Sequence, residues 1–113
     1  MRLKKLVRVI KDYFNFSIDI FLSSKAFRGV AYTEFCNNYA QILINGTVIK
    51  TEKQLLVAVA HELAHILLRE PKHTKKHEEK TKEILKVLAS EFGYKFDELL
   101  QVKRELDRLA GRG

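Results

Sequence analysis

Residues 51–71 read TEKQLLVAVAHELAHILLREP, and this stretch decides the fold. Thr51 is placed to cap a helix. Gln54 stands three residues on, as in a capping box, and Glu52 suits the positive end of the helix dipole. Leu55, Leu56, Val59, Leu63, Ile66 and Leu67 recur at helical spacing, while Ala58, Ala60 and Ala64 allow close packing. Pro71 stops the helix. Inside it lies His61-Glu62-Leu63-Ala64-His65, an HExxH pattern. Residues four apart leave a helix on the same side, one turn apart. Two imidazoles so placed can converge on one ion at about 2.0–2.1 Å, the usual zinc–nitrogen distance. Glu62 points beside the ion and is the candidate to take a proton from a water held there. Two histidines and a glutamate in so apolar a helix need a reason, because buried polar groups must be paired.

Outward from this helix the chain reads as a small α+β domain. Residues 2–14 carry Leu3, Leu6, Val7, Ile10 and Phe14 at helical spacing, with a basic outer face. Three strand candidates follow: Ser17–Leu22, Val30–Cys36 and Tyr39–Asn45. Asn37-Asn38 is good chemistry for a tight hairpin, and Asn45-Gly46 is a second turn signal. The expected arrangement is a three-stranded, mostly antiparallel sheet. After Pro71, Thr74 can cap a helix running to Phe92, with Gly93 as its C-terminal cap. A last helix is expected from Asp97 to about Ala110. The expected division is residues 1–94 as the catalytic unit and 95–113 as a C-terminal segment.

A catalytic zinc needs a third protein ligand and an open position. His73 and His77 are the candidates. If the helices around Pro71 form an antiparallel hairpin, residues equidistant from Pro71 face each other. His77 then faces His65, Thr81 faces His61, and His73 lies beyond the metal's level beside Arg69. His77 also falls on the stripe with Thr81, Ile84, Leu85 and Leu88. The expected metal set is therefore His61, His65 and His77, with His73, Glu78 or Glu79 as alternatives. Thr81 could orient the His61 ring from behind. The metzincin pattern is absent, since Leu68 and Pro71 occupy its glycine and third-histidine positions.

The chain has 113 residues and a formal net charge of +7, with 46% hydrophobic and 31% charged residues. That composition is globular. Basic residues are spread along the chain, which fits a solvated surface better than a nucleic-acid site, and nucleic acid is not an expected partner. Cys36 is the single cysteine, so no internal disulfide can form. Lys11 and Asp12 interrupt the N-terminal apolar pattern before a signal-peptide core could arise. The longest apolar run, Leu55 to Ala60, is too short to span a bilayer. A cytoplasmic protein without a membrane partner is expected.

The run from Leu55 to His65 resembles the catalytic helix of gluzincin metallopeptidases, in particular HtpX-like membrane peptidases. The lead-in Asn38-Tyr39-Ala40 and the later Asn45-Gly46 are similar too. A compact version without transmembrane helices resembles the minigluzincins, and the likeness covers roughly residues 30–92. It implies a zinc metalloendopeptidase with the active-site helix beneath a small sheet. It implies that an edge strand, expected here at Tyr39, Ala40, Gln41 and Ile42, pairs with an extended peptide or protein substrate. It also implies latency imposed by the C-terminal segment, which could cover its own cleft or be exchanged in a homodimer. Most gluzincins have Glu as third ligand and Asp one turn later, where this chain has His77 and Thr81. Tyr94, Tyr39 and Arg28 are candidates for stabilising an oxyanion. Competing readings are an SprT-like or ImmA-like protease acting on nucleic-acid-bound or regulatory proteins, and a non-catalytic module stabilised by zinc.

Overall fold

Helix α2, Glu52–Leu68, is walled in on nearly every side. Ten of its seventeen residues are buried, from Leu55 through Ile66, as expected of a helix apolar around most of its circumference. The computed structural model describes residues 1–25 and 31–109, the side chains of Tyr32 and Phe35 excepted. Before α2 come α1 (Leu3–Phe14) and the strands β1 (Ser17–Ser23), β2 (Ala31–Cys36) and β3 (Tyr39–Asn45); after it come α3 (Lys75–Phe92) and α4 (Phe96–Leu109). This is the expected α+β order. Val30, the start of the second strand candidate, lies outside the described residues, as does Ala110 at the end of the last helix.

Local chemistry sets the helix ends. The Thr51 side chain accepts from the Gln54 backbone N–H at 3.2 Å, and Gln54 returns the bond to the Thr51 N–H at 3.1 Å. Helix α2 closes on Arg69, whose backbone is left-handed at φ 54°. Thr74 caps α3 by accepting from the His77 N–H at 3.2 Å, and Gly93 ends it at φ 78°. That backbone conformation costs glycine little.

The sheet order is β1-β3-β2. β1 runs parallel to β3, and β2 pairs with β3 antiparallel through the Asn37 turn. The sheet is thus evenly mixed, not mostly antiparallel. β3 is its central strand, hydrogen-bonded on both sides, so Tyr39–Ile42 offer no free edge. Ala40, Ile42 and Ile44 point inward and are fully buried. Tyr39 and Gln41 face out, where the Gln41 amide donates to the Tyr39 hydroxyl, which itself donates to Asp19. Gly46 follows β3 because space demands it: a Cβ there would stand 2.5 Å from the Ser23 carbonyl oxygen.

Helices α3 and α4 close the other side of α2. Ile84, Leu85, Leu88, Leu99 and Leu106 join the core that α2 shares with the sheet and α1. The described part of the C-terminal segment therefore packs as α4. Among the described residues no helix is long and apolar enough to cross a membrane.

Glu52 ties three parts of the chain together. It accepts from the Arg2 backbone N–H at 3.0 Å, from the Arg2 guanidinium at 2.6 and 3.1 Å, and from the Tyr94 hydroxyl at 2.7 Å. These bonds, chiefly those from Arg2, hold its pKa at about 2, below an ordinary 4.5. A carboxylate depressed in the folded state contributes stability that is complete above pH 4.5 and is lost as pH falls toward 2. Thermal melts should show Glu52→Gln less stable at neutral pH by about 1 kcal/mol. The same variant should lose less stability than the parent on acidification through that window; parallel acid limbs would contradict the assignment.

Candidate metal centre

Helix α2 delivers His61 and His65 one turn apart at its C-terminal half. The segment after its left-handed cap brings His73 back over them, and the first turn of α3 adds His77. His61 and His77 are buried, His65 is half-buried and His73 is exposed. The Nε2 atoms of His61, His65 and His73 form a nearly equilateral triangle, with sides of 3.1, 3.2 and 3.3 Å. Ligands placed tetrahedrally at about 2.0–2.1 Å from one ion stand about 3.3–3.4 Å apart. The triangle fits that spacing.

Tautomers support the fit. His65 Nδ1 lies 2.8 Å from the Glu70 carbonyl oxygen. A carbonyl only accepts, so this nitrogen carries the hydrogen. In the neutral ring Nε2 then presents its lone pair toward His61 and His73. A ligating histidine typically donates its other N–H to a carbonyl in this way, which fixes ring orientation and raises basicity.

The His77 ring stacks on that of His65, with centroids 3.9 Å apart. Its Nε2 donates to the His61 carbonyl oxygen at 3.0 Å. Burial pushes its pKa down, as do the neighbouring His65 and His73; the bond to the His61 carbonyl only partly offsets this. A neutral His77 therefore keeps Nδ1 as its one free lone pair. His61, His65 and His77 each offer a ring nitrogen within 4.8 Å of the others, a group that could hold a metal ion. Two nitrogens on one zinc stand at most about 4.2 Å apart, so the triangle that includes His73 is the tighter fit. The expectation that His73 lies beyond the metal's level does not hold. The hairpin count treats residues 69–74 as symmetric extensions of two helices, whereas the left-handed turn at Arg69 folds them back.

Glu62 leaves α2 toward the sheet. Its Oε2 accepts from the Thr33 hydroxyl at 2.8 Å. Glu62 and His65 line a cavity of about 470 Å³ with Ala31, Thr33, Ile66, Arg69, Glu70 and Pro71. β2 is a sheet edge, so the edge beside the cavity belongs to β2 and not to Tyr39–Ile42. On the opposite side, His61, His73 and His77 border a second cavity of about 300 Å³ with Thr74, Glu78 and Lys103. Burial lowers the pKa of Lys103, but its bonds to Asp107 at 2.9 Å and Glu78 at 3.0 Å outweigh that and leave it raised.

No family model, curated protein or solved structure matches the chain. The site is therefore read from its own geometry. Thr81 donates to the His77 carbonyl oxygen at 2.8 Å, one turn back, and so does not serve the His61 ring. Tyr94 is engaged with Glu52, and Tyr39 with Asp19 on the outer face. Arg28 lies outside the described residues. Thr33 and the Glu70 carbonyl escaped the sequence reading. Alternation along β2 could have put Thr33 on the inner face, but nothing local marks Glu70.

Titration with Zn²⁺ against a chromophoric chelator should give one equivalent per chain. His73→Ala should weaken binding more than about 100-fold, and His77→Gln only about 10-fold, as for a residue that orients a ligand. The reverse order would make His77 the third ligand.

Proposed function

We propose that the chain is a zinc-dependent metallopeptidase, with His61, His65 and His73 as the ligands and Glu62 as the general base. The observation that carries this reading is the side on which the cavity opens. It lies against Glu62 and His65, where an acid–base group and a ligand border the same space. A structural zinc is closed by four protein ligands, whereas a catalytic one keeps a position open. Zinc held there would polarise a scissile carbonyl and lower the pKa of its water to about 7.

Glu62 takes one proton from the attacking water and passes it to the leaving amine nitrogen as the C–N bond breaks. The hydroxyl oxygen goes to the carbonyl carbon, so the products are a carboxylic acid and an amine. The Thr33 hydroxyl orients Glu62 and stabilises its ionised form, since a bond to the charged form favours it. His65 Nδ1–H on the Glu70 carbonyl and His77 Nε2–H on the His61 carbonyl hold the two helix ligands in place. β2 is at the edge of the described sheet, a position that suits a substrate in extended conformation. The resemblance to minigluzincins supports the same reaction class. The described part of the C-terminal segment contributes no residue to the cavity beside Glu62, so latency imposed by α4 would have to act from the Lys103 side.

A second reading is a closed, non-catalytic zinc site. It is favoured by the nearness of the fourth imidazole, with the His77 ring centroid 3.9–5.3 Å from those of the other three. Cleavage of a fluorogenic peptide library separates the two. Glu62→Gln should retain one zinc and lose about 10²–10⁴-fold in rate. Cleavage equal to that of the parent would remove Glu62 from the reaction. Absence of cleavage by the zinc-loaded parent, with His77→Gln losing metal as readily as His73→Ala, would favour the closed site.

A further inference from the structure

We propose that the exposed face of α1, together with the adjoining end of β1, docks on an anionic lipid bilayer. Residues 2–14 hold five basic side chains, Arg2, Lys4, Lys5, Arg8 and Lys11, against one acid, Asp12. They supply more than half of the net charge of +7. Arg2 is committed to Glu52, and the Lys5 ammonium lies 4.9 Å from the centre of the Phe92 ring. Lys4, Arg8 and Lys11 are exposed and, among the described residues, make no ion pair. Their spacing of four and three places them in one stripe along the helix. Longer basic tracts occur on α3, but Glu78, Glu79, Glu83 and Glu91 are interspersed there.

Apolar surface adjoins the stripe. Leu3 and Val7 are only half-buried, and with Lys4, Asp19, Ile20 and Phe21 they line a cavity of about 330 Å³ between α1 and β1. Phe21, which lines this cavity, is 50% exposed; Leu22 pairs with the inward Ile44 and so points to the other face of the sheet. Asp19 is the one acid in this group, and its carboxylate accepts the Tyr39 hydroxyl. A cationic stripe flanked by aliphatic and aromatic side chains is the pattern of a helix lying in the headgroup region of an acidic membrane. Nucleic acid would use the cations equally well, but Phe21 is the one aromatic side chain lining the cavity, and Leu3, Val7 and Ile20 have no flat face on which a base could stack, whereas all three suit acyl chains. No spanning segment is needed. The contact is peripheral and rests on charge plus shallow insertion.

Flotation with phosphatidylcholine vesicles, with and without phosphatidylserine, tests the proposal on the full chain. Binding is expected only to vesicles containing phosphatidylserine, and should weaken steeply with added salt. Each basic residue near such a surface contributes about fivefold in affinity. The triple change Lys4→Glu, Arg8→Glu and Lys11→Glu should therefore weaken binding at least about 100-fold. Phe21→Ser should weaken it while preserving the salt dependence, and does so without altering charge. Lys72→Glu, Lys76→Glu and Lys82→Glu together make the same change in net charge elsewhere and should cost far less. Equal losses in the two triple variants, binding to neutral vesicles alone, or no vesicle binding would each overturn the proposal. So would tight binding to duplex DNA through the same stripe without vesicle binding, which would make the face a nucleic-acid site. The readout does not involve peptide cleavage, so failure here leaves the metallopeptidase reading standing.

Discussion

The constraint on which the rest of the structure depends is the burial of α2 between two layers. A helix with the sheet on one side and α3 and α4 on the other must be apolar nearly all round. Every polar side chain it carries inside must then find a partner within the protein. His61, Glu62 and His65 meet that requirement in different directions. The two rings turn toward the α2–α3 connection, while Glu62 turns toward Thr33 on β2. A metal ion held by these rings would thus answer a packing problem as well as a chemical one. Three imidazole nitrogens about 3.2 Å apart cannot all satisfy one another by hydrogen bonds, because each contact needs one hydrogen and one lone pair. A cation removes that conflict.

Much of this was legible in the sequence because local signals agreed with the tertiary structure. Thr51, Gln54, Thr74 and Gly93 occupy the caps read for them. The hairpin at Asn37 and the span of β3 follow from turn chemistry and alternation. What could not be read was strand order. A hairpin fixes only the β2–β3 neighbourhood, and nothing local says on which side of it β1 will add. Composition held no clue either: Ile18, Ile20, Phe21 and Leu22 make β1 as apolar as Ala40, Ile42, Leu43 and Ile44 make β3. Gly46 shows a related limit. It reads as a turn residue, yet its smallness is required by a carbonyl of β1, a neighbour that only the strand order reveals.

The third imidazole illustrates the same distinction within the site. Counting outward from Pro71 correctly set His77 opposite His65, and the rings do stack. Facing leaves two candidates for a third ligand, since His61, His65 and His77 form a group that could hold an ion while His73 completes the tighter nitrogen triangle. A residue in the first turn of a packed helix has its direction fixed by that helix, and His77 is held with Nε2 on the His61 carbonyl. His73 precedes the Thr74 cap and lies outside helical geometry. Its approach depends on the left-handed backbone at Arg69, which no periodicity encodes. A residue of a short connection can thus reach a site from a direction that the helix periodicity does not encode.

The two faces of the histidine cluster differ in a way that bears on chemistry. Toward β2 the cavity is lined mostly by apolar groups, and Glu62 is the one carboxylate near His65 apart from Glu70. Toward α4 the wall holds Lys103 with Glu78 and Asp107, a cation already neutralised by two acids. A buried lysine with two carboxylate partners resists deprotonation, and its charge is already matched. Breaking such a network leaves charge without compensation, which is costly in a low-dielectric setting. The Lys103 side is thus suited to holding α3 and α4 in register beneath the histidines. On the proposed reading, substrate would approach from the β2 side, where an edge strand and a largely apolar wall adjoin Glu62 and His65.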